Sequence, residues 1–102
     1  MCSIFGFNGN FSDLLLNDSI SILNHRGPDG NGTWINQSKS IGLSHTRLSI
    51  LDLSDLGHQP MLDANGSVIS YNGEIYNFRE LRRELVSSGF SFRSNCDTEV
   101  LL

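Results

Sequence analysis

Cysteine is scarce in this chain. Only Cys2 and Cys96 occur, near opposite ends and without the spacing of a metal site. That excludes a disulfide framework and a zinc ribbon, and it fits a reducing, cytoplasmic compartment. Positive charge is also sparse, seven Lys and Arg against eleven Asp and Glu for a net charge of −4, so no basic track for nucleic acid is expected. The cluster Arg79, Arg82 and Arg83 reads as the solvated face of a helix. No apolar run approaches the length that crosses a bilayer, and no charged segment leads into an apolar one as in a secretory signal. Neither a membrane nor a nucleic acid is therefore an expected partner. With 38% hydrophobic and 18% charged residues over 102 positions, the composition is that of one globular domain with a modest core.

Against these absences stands the start of the chain, Met1-Cys2-Ser3-Ile4-Phe5-Gly6. Removal of Met1 would leave a thiol beside its own backbone amine, which titrates near ~7.7–8.0 in model peptides and so can act as a base around neutral pH. A nucleophile served by its own terminal amine is a known activated arrangement. Alternation through Cys2, Ile4 and Gly6 predicts a strand over 2–8, and Asn8-Gly9-Asn10 a turn.

Ser12 is a plausible N-cap for a helix to Leu23, with Leu16, Ile20 and Leu23 forming an apolar stripe that Leu15 and Ile22 widen. Gly27-Pro28 stops it, within the constrained loop His25-Arg26-Gly27-Pro28-Asp29-Gly30. A second strand is predicted over 32–36 and a longer one over 41–53. In the latter, alternation puts Leu43, His45, Arg47, Ser49 and Leu51 on one face. Arg47 in so apolar a segment needs an anionic partner, either a structural carboxylate such as Asp52 or Asp29 or the carboxylate of a substrate.

Gly57-His58-Gln59-Pro60 reads as loop and Asn65-Gly66 as a hairpin turn. A strand over Ser67–Tyr71 then leads into Asn72-Gly73-Glu74. There a side-chain amide and a backbone N–H can converge on one point, the parts of an oxyanion hole or simply an Asn-Gly turn. Asn77 and Glu80 suggest a capping box for a helix carrying Phe78, Leu81, Leu85 and Val86, closed by Gly89. Phe90 and Phe92 suggest a short strand, and Asp97-Thr98-Glu99 the start of a third helix. The apolar stop at Val100-Leu101-Leu102 reads as an N-terminal fragment, residues 1–102, of a larger domain.

Five segments taken together, Met1 to Gly6, His25 to Gly30, Ser44 to Asp52, Tyr71 to Asn77 and Cys96 to Val100, resemble in order and spacing a family. They are similar to class II glutamine amidotransferase domains of the N-terminal nucleophile type. Ser3-Ile4-Phe5 and Arg47-Leu48-Ser49-Ile50 most resemble the glutamine-hydrolysing asparagine synthetase branch, ahead of sugar-phosphate and related amidotransferases.

The resemblance implies an α+β fold, a sandwich of two antiparallel sheets flanked by helices, present here in its N-terminal portion. It implies Cys2 as nucleophile, Asn72 and Gly73 as oxyanion donors, and Arg47 as the grip on the glutamine α-carboxylate. Asp97 and Glu74 would hold the α-ammonium group, and Leu48, Ile50 and the Arg26–Asp29 loop would shape the pocket. Glutamine is the implied partner, with a C-terminal synthetase domain receiving ammonia and a homodimer as one assembly of the complete protein. No cofactor or metal is implied for these residues; ATP and Mg2+ would belong to the synthetase domain. Little activity is expected of residues 1–102 alone. The open alternatives are another class II amidotransferase, a regulatory module that keeps Met1, and a truncated product.

Overall fold

A computed structural model describes all residues, 1–102. Strand β1 (Ser3–Asn8) enters a three-stranded antiparallel sheet of order β1-β3-β2, in which β2 is Gly30–Ile35 and β3 is Ile41–Arg47. Helix α1 (Asp13–Leu23) packs on β3, and a single 3-10 turn, Asn24–Arg26, returns the chain to β2. The second antiparallel sheet is a two-stranded hairpin, β4 (Met61–Leu62) with β5 (Val68–Ile69). Helices α2 (Phe78–Ser87) and α3 (Thr98–Leu101) follow. The expected α+β class with two antiparallel sheets and helices is thus observed. No helix is long and apolar enough to cross a membrane.

Helix α1 starts where Ser12 caps it, its hydroxyl accepting from Leu14 N at 3.2 Å. Of the predicted stripe, Leu16 is buried while Ile20 and Leu23 are half-buried. Ile22 is 70% exposed and does not widen it. The interface beneath α1 is unusually rich in hydroxyl groups. Sixteen residues are buried and only three of them, Leu16, Met61 and Cys96, are hydrophobic, so hydrogen bonds must carry much of the packing. Ser19 and Ser44 hydroxyls meet at 2.6 Å, as do those of Ser3 and Thr46, residues directly opposite in the β1–β3 register. Thr46 Oγ1 donates onward to Leu23 O at 3.2 Å. Gly27 lets the turn after α1 lie against β3, because a Cβ there would sit 2.6 Å from the Thr46 carbonyl.

The long strand expected over 41–53 ends at Arg47. Beyond it the backbone N–H groups turn to side chains: Leu48 N donates to Cys2 Sγ at 3.2 Å and Ser49 N to Asp29 Oδ2 at 2.8 Å. Ser49 and Leu51 therefore do not continue the Arg47 face. The strand expected over 67–71 keeps ladder pairing only at Val68 and Ile69. Its turn is as expected, with Gly66 at φ +90° and Asp63 Oδ1 accepting from Asn65 N and Ser67 N, both at 2.8 Å.

The Asn77–Glu80 capping box does not form. Asn77 sits at φ −96°, ψ 22°, outside the extended region, and its carbonyl rather than its side chain receives Glu80 N and Leu81 N. A side-chain cap needs extended backbone at that residue. Nor is there a strand at Phe90–Phe92. The N–H groups just beyond, of Arg93 and Ser94, donate to the Glu99 carboxylate, each at 2.8 Å, and Phe92 lies under the Arg82 guanidinium.

Candidate functional site

The sheet has two sides, and α1 occupies one. By alternation Ile4 and Gly32, paired with His45, share the other side with Arg47. The 57–60 loop closes over Gly32, where an added Cβ would run into Gln59 O and His58. Beside it opens a cleft of about 350 Å³, lined by Met1, Cys2, Arg47, Leu48, Ile50, Asn72, Gly73, Glu74 and Asp97 among others. That volume lies at the small end of the range for ligand sites. Eight of the nine candidate residues from the sequence meet there. Arg26 stands apart, its Nε donating to the Cys2 carbonyl at 3.5 Å from outside the cleft.

Cys2 extends β1 into this cleft. It is a half-buried free thiol, with the Leu48 N–H 3.2 Å from its sulfur and the Leu48 carbonyl at 3.6 Å. The two contacts to Leu48 hold the sulfur at the end of β1.

Arg47 finds neither of the carboxylates that could have paired with it. Its Nη1 donates to Ser54 O at 2.9 Å and its Nη2 to Asp52 O. The carboxylates are engaged elsewhere: Asp29 with Ser49 N, and Asp52 with the Ser54 N–H and hydroxyl and with Asn95 N. Bonds from the Ser54 hydroxyl, then from the Ser54 and Asn95 backbones, hold the Asp52 carboxyl below its ordinary range. The sole ion pair is Arg93–Glu99, elsewhere on the molecule. Of the five guanidinium N–H groups of Arg47, two are thus spent on loop carbonyls and the other three have no hydrogen-bond partner within the chain.

On the facing wall, Asn72 and Gly73 follow Tyr71. A Cβ on Gly73 would lie 2.6 Å from the Tyr71 hydroxyl, so this turn fits closely against its own ring. Asp97 is buried, and its Oδ2 accepts from Ile75 N at 2.9 Å. That bond and one from Cys96 Sγ to Oδ1 at 3.7 Å, with no side-chain cap on the four-residue α3, hold the carboxylate in place. No cluster of three His, Cys, Asp or Glu side chains has the makings of a metal site.

Several residues here carried no sequence signal of a role. Gly57 is buried against the Arg47 guanidinium, which occupies the space a Cβ would take. Gln59, Tyr71 and Thr98 line the cleft as well, as does the buried Cys96. His45 is 1% exposed, with Nε2 3.2 Å from Tyr71 O and Nδ1 unpartnered. Burial depresses its pKa most; the Tyr71 carbonyl opposes that, and the charges of Arg47 and His58 add to it. Their partners lie far away in sequence, and only folding brings them into contact.

Comparison with known proteins shows the family of the chain. A family model described as a glutamine amidotransferase domain matches residues 1–102. A provisionally named glutamine-hydrolysing asparagine synthetase of Methanocaldococcus jannaschii is 40% identical over an alignment covering 100% of this chain and 23% of its own length. A glutamine-hydrolysing asparagine synthetase of Bacillus subtilis is 42% identical over 76% of this chain and 12% of its own. An amidase of Gibberella zeae is 39% identical over 85% of this chain and 13% of its own. The chain thus spans under a quarter of the length of each of these relatives.

Proposed function

Because the chain belongs to the glutamine amidotransferase domain family, we propose that the protein hydrolyses glutamine to glutamate and ammonia in the cleft at Cys2. A synthetase domain outside residues 1–102 would use the ammonia, with ATP and Mg2+, to convert aspartate to asparagine. The observation that carries this reading is the convergence of Cys2, Arg47, Asn72, Gly73, Glu74 and Asp97 on one cleft.

In this reading Met1 is removed and the freed α-amine of Cys2 takes the thiol proton. Sulfur attacks the side-chain carbonyl carbon of glutamine, and the Asn72 amide and Gly73 N–H receive the negative charge that develops on oxygen. The amine then gives its proton to the departing ammonia, leaving a γ-glutamyl thioester on Cys2. Water, deprotonated by the same amine, releases glutamate and restores the thiol. Arg47 grips the α-carboxylate with its remaining N–H groups, and Asp97 with Glu74 receives the α-ammonium group. Leu48 and Ile50 border the aliphatic stem. No cofactor takes part within these residues.

Removing a nucleophile from such a unit costs several powers of ten. Cys2→Ala in the complete protein is therefore expected to lower glutamine-dependent asparagine formation by at least about 10⁴-fold while synthesis from added ammonium salt persists. Retained glutaminase activity in Cys2→Ala, or its loss in Cys96→Ala instead, would refute the assignment. The Gibberella zeae amidase matches about as well as the synthetases. If glutamine hydrolysis is seen but aspartate is not the acceptor, the same cleft serves a different amidation.

A further inference from the structure

Gln59 lies in a loop that the chemistry above does not use, yet its side chain joins two residues that line the cleft, Tyr71 and Thr98. The residue is 6% exposed. Its Oε1 accepts from Tyr71 N at 2.6 Å, and its Nε2 donates to Thr98 Oγ1 at 3.2 Å. The orientation of the carboxamide follows from its partners. A backbone N–H can only donate, so oxygen must face Tyr71, and nitrogen is left for the hydroxyl. Tyr71 precedes Asn72-Gly73, the proposed oxyanion donors; Thr98 follows Asp97, the proposed ammonium acceptor.

Two further bonds fix the same segment. The Tyr71 carbonyl can only accept, so His45 carries its proton on Nε2 and donates across 3.2 Å. At the other end Ile75 N donates to Asp97 Oδ2 at 2.9 Å. The segment Asn72-Gly73-Glu74 is therefore held at both of its flanks. Gln59 links the residue next to Asn72 to the residue next to Asp97, while the Ile75 bond ties the far end of the segment to Asp97 itself.

We propose that Gln59 is a positioning residue that sets the oxyanion donors Asn72 and Gly73 in register with Asp97, by bridging Tyr71 N–H to the Thr98 hydroxyl. The proposal rests on the glutaminase reading and deepens it. A glutamine bound by its head groups must present its side-chain carbonyl oxygen to Asn72 and Gly73, and the separation of these two sites is what the carboxamide spans. A shift of about 1 Å in such geometry can cost about a hundredfold in rate. Because oxyanion donors act mainly in the transition state, the loss falls on kcat more than on KM.

The test uses the complete protein with Gln59→Leu, Thr98→Val and Thr98→Ser. For each, kcat and KM for glutamine, the rate of Cys2 alkylation by iodoacetamide, thermal unfolding, and amide hydrogen exchange over residues 71–75 are measured. Gln59→Leu is expected to lower kcat about ten- to a hundredfold with KM within about threefold, leave iodoacetamide alkylation unchanged and speed exchange at Tyr71. Thr98→Val should lose about three- to tenfold in kcat while Thr98→Ser, which keeps the hydroxyl, recovers it. If Gln59→Leu fails to fold, the Thr98 pair decides alone, since a packing role favours valine and a bridging role favours serine. A folded Gln59→Leu with kcat within about twofold of wild type, or equal activity of the two Thr98 variants, overturns the proposal. A wild-type protein that does not hydrolyse glutamine sinks the functional reading instead, and faster exchange at Tyr71 in Gln59→Leu would then still establish the bridge.

Discussion

Strand β3 carries two chemistries on its two sides. Toward α1 it presents Gly42, Ser44 and Thr46, whose hydroxyls bond to Ser19, Ser3 and the Leu23 carbonyl. Every one of these buried hydroxyls has a partner, and all partners lie in neighbouring regular elements. On the other side it presents His45, buried behind the cleft lining, and Arg47, which lines the cleft; both reach carbonyls of loops and keep hydrogen-bonding capacity in reserve. His45 Nδ1 is unpartnered and most of the Arg47 guanidinium N–H groups are uncommitted. Closed hydrogen bonding marks the side that holds the fold together. Spare hydrogen bonding, kept beside a small cleft, marks the side available to a ligand.

The contrast predicts that substitutions on the two sides separate stability from catalysis. The largest effect is expected from Leu16→Ala on the helix side, since Leu16 is 1% exposed and such truncations cost about 2–5 kcal/mol. Denaturant unfolding should show that loss, with kcat/KM for glutamine unchanged under folding conditions.

On the cleft side, Arg47→Lys keeps a charge but loses the planar fork. It should lower kcat/KM for glutamine about thirtyfold, equivalent to about 2 kcal/mol, without affecting ammonia-dependent synthesis. Equal losses in both rates would mean that Arg47 supports the loop it bonds rather than a substrate. Thr46→Val removes a donor from the Leu23 carbonyl and a partner from Ser3. A stability loss of about 1–2 kcal/mol is expected, read as a lower urea midpoint, with KM for glutamine unaltered.

The smallest effect concerns acid. The pKa of His45 is depressed in the folded protein, chiefly by burial. Below the ordinary histidine value of about 6.5 the unfolded chain takes up a proton that the folded chain resists. The His45 contribution is thus complete above that pH and is lost as pH falls toward the folded pKa, at no more than about 1.36 kcal/mol per pH unit. His45→Gln, whose amide can still donate to Tyr71 O, should flatten stability against pH in that window. An unchanged slope would assign the acid sensitivity to other groups.

Much of the fold was readable because it depends on local pattern. Ser12 and the Leu16–Ile20–Leu23 spacing announced α1, and Asn65-Gly66 announced the β4–β5 turn. The cleft was readable where short motifs carry it, at Cys2, Arg47, Asn72-Gly73-Glu74 and Asp97, all of which the structure brings to one place. Partners distant in sequence were not readable. Strand β3 stops at Arg47 because Cys2 and Asp29 capture the next two N–H groups, from 46 and 20 residues away. Arg47 meets neither the Asp52 nor the Asp29 carboxylate but the carbonyls of a nearby loop, and Gly57 makes room for it. Gln59 sits in a run of ordinary loop residues, and its importance rests on Tyr71 and Thr98, 12 and 39 positions onward.

The placement of Met1 and Cys2 in the wall of the cleft has a practical side for anyone producing the protein. Most soluble domains tolerate an affinity tag at their amino end because that end trails into solvent. Here the first two residues help to line the cleft itself. Extra residues fused ahead of Met1 would start beside the cleft and keep the Cys2 nitrogen locked in a peptide bond. Under the proposed reaction, a recombinant preparation tagged in that way would be pure, folded and silent toward glutamine, and its silence would come from the vector.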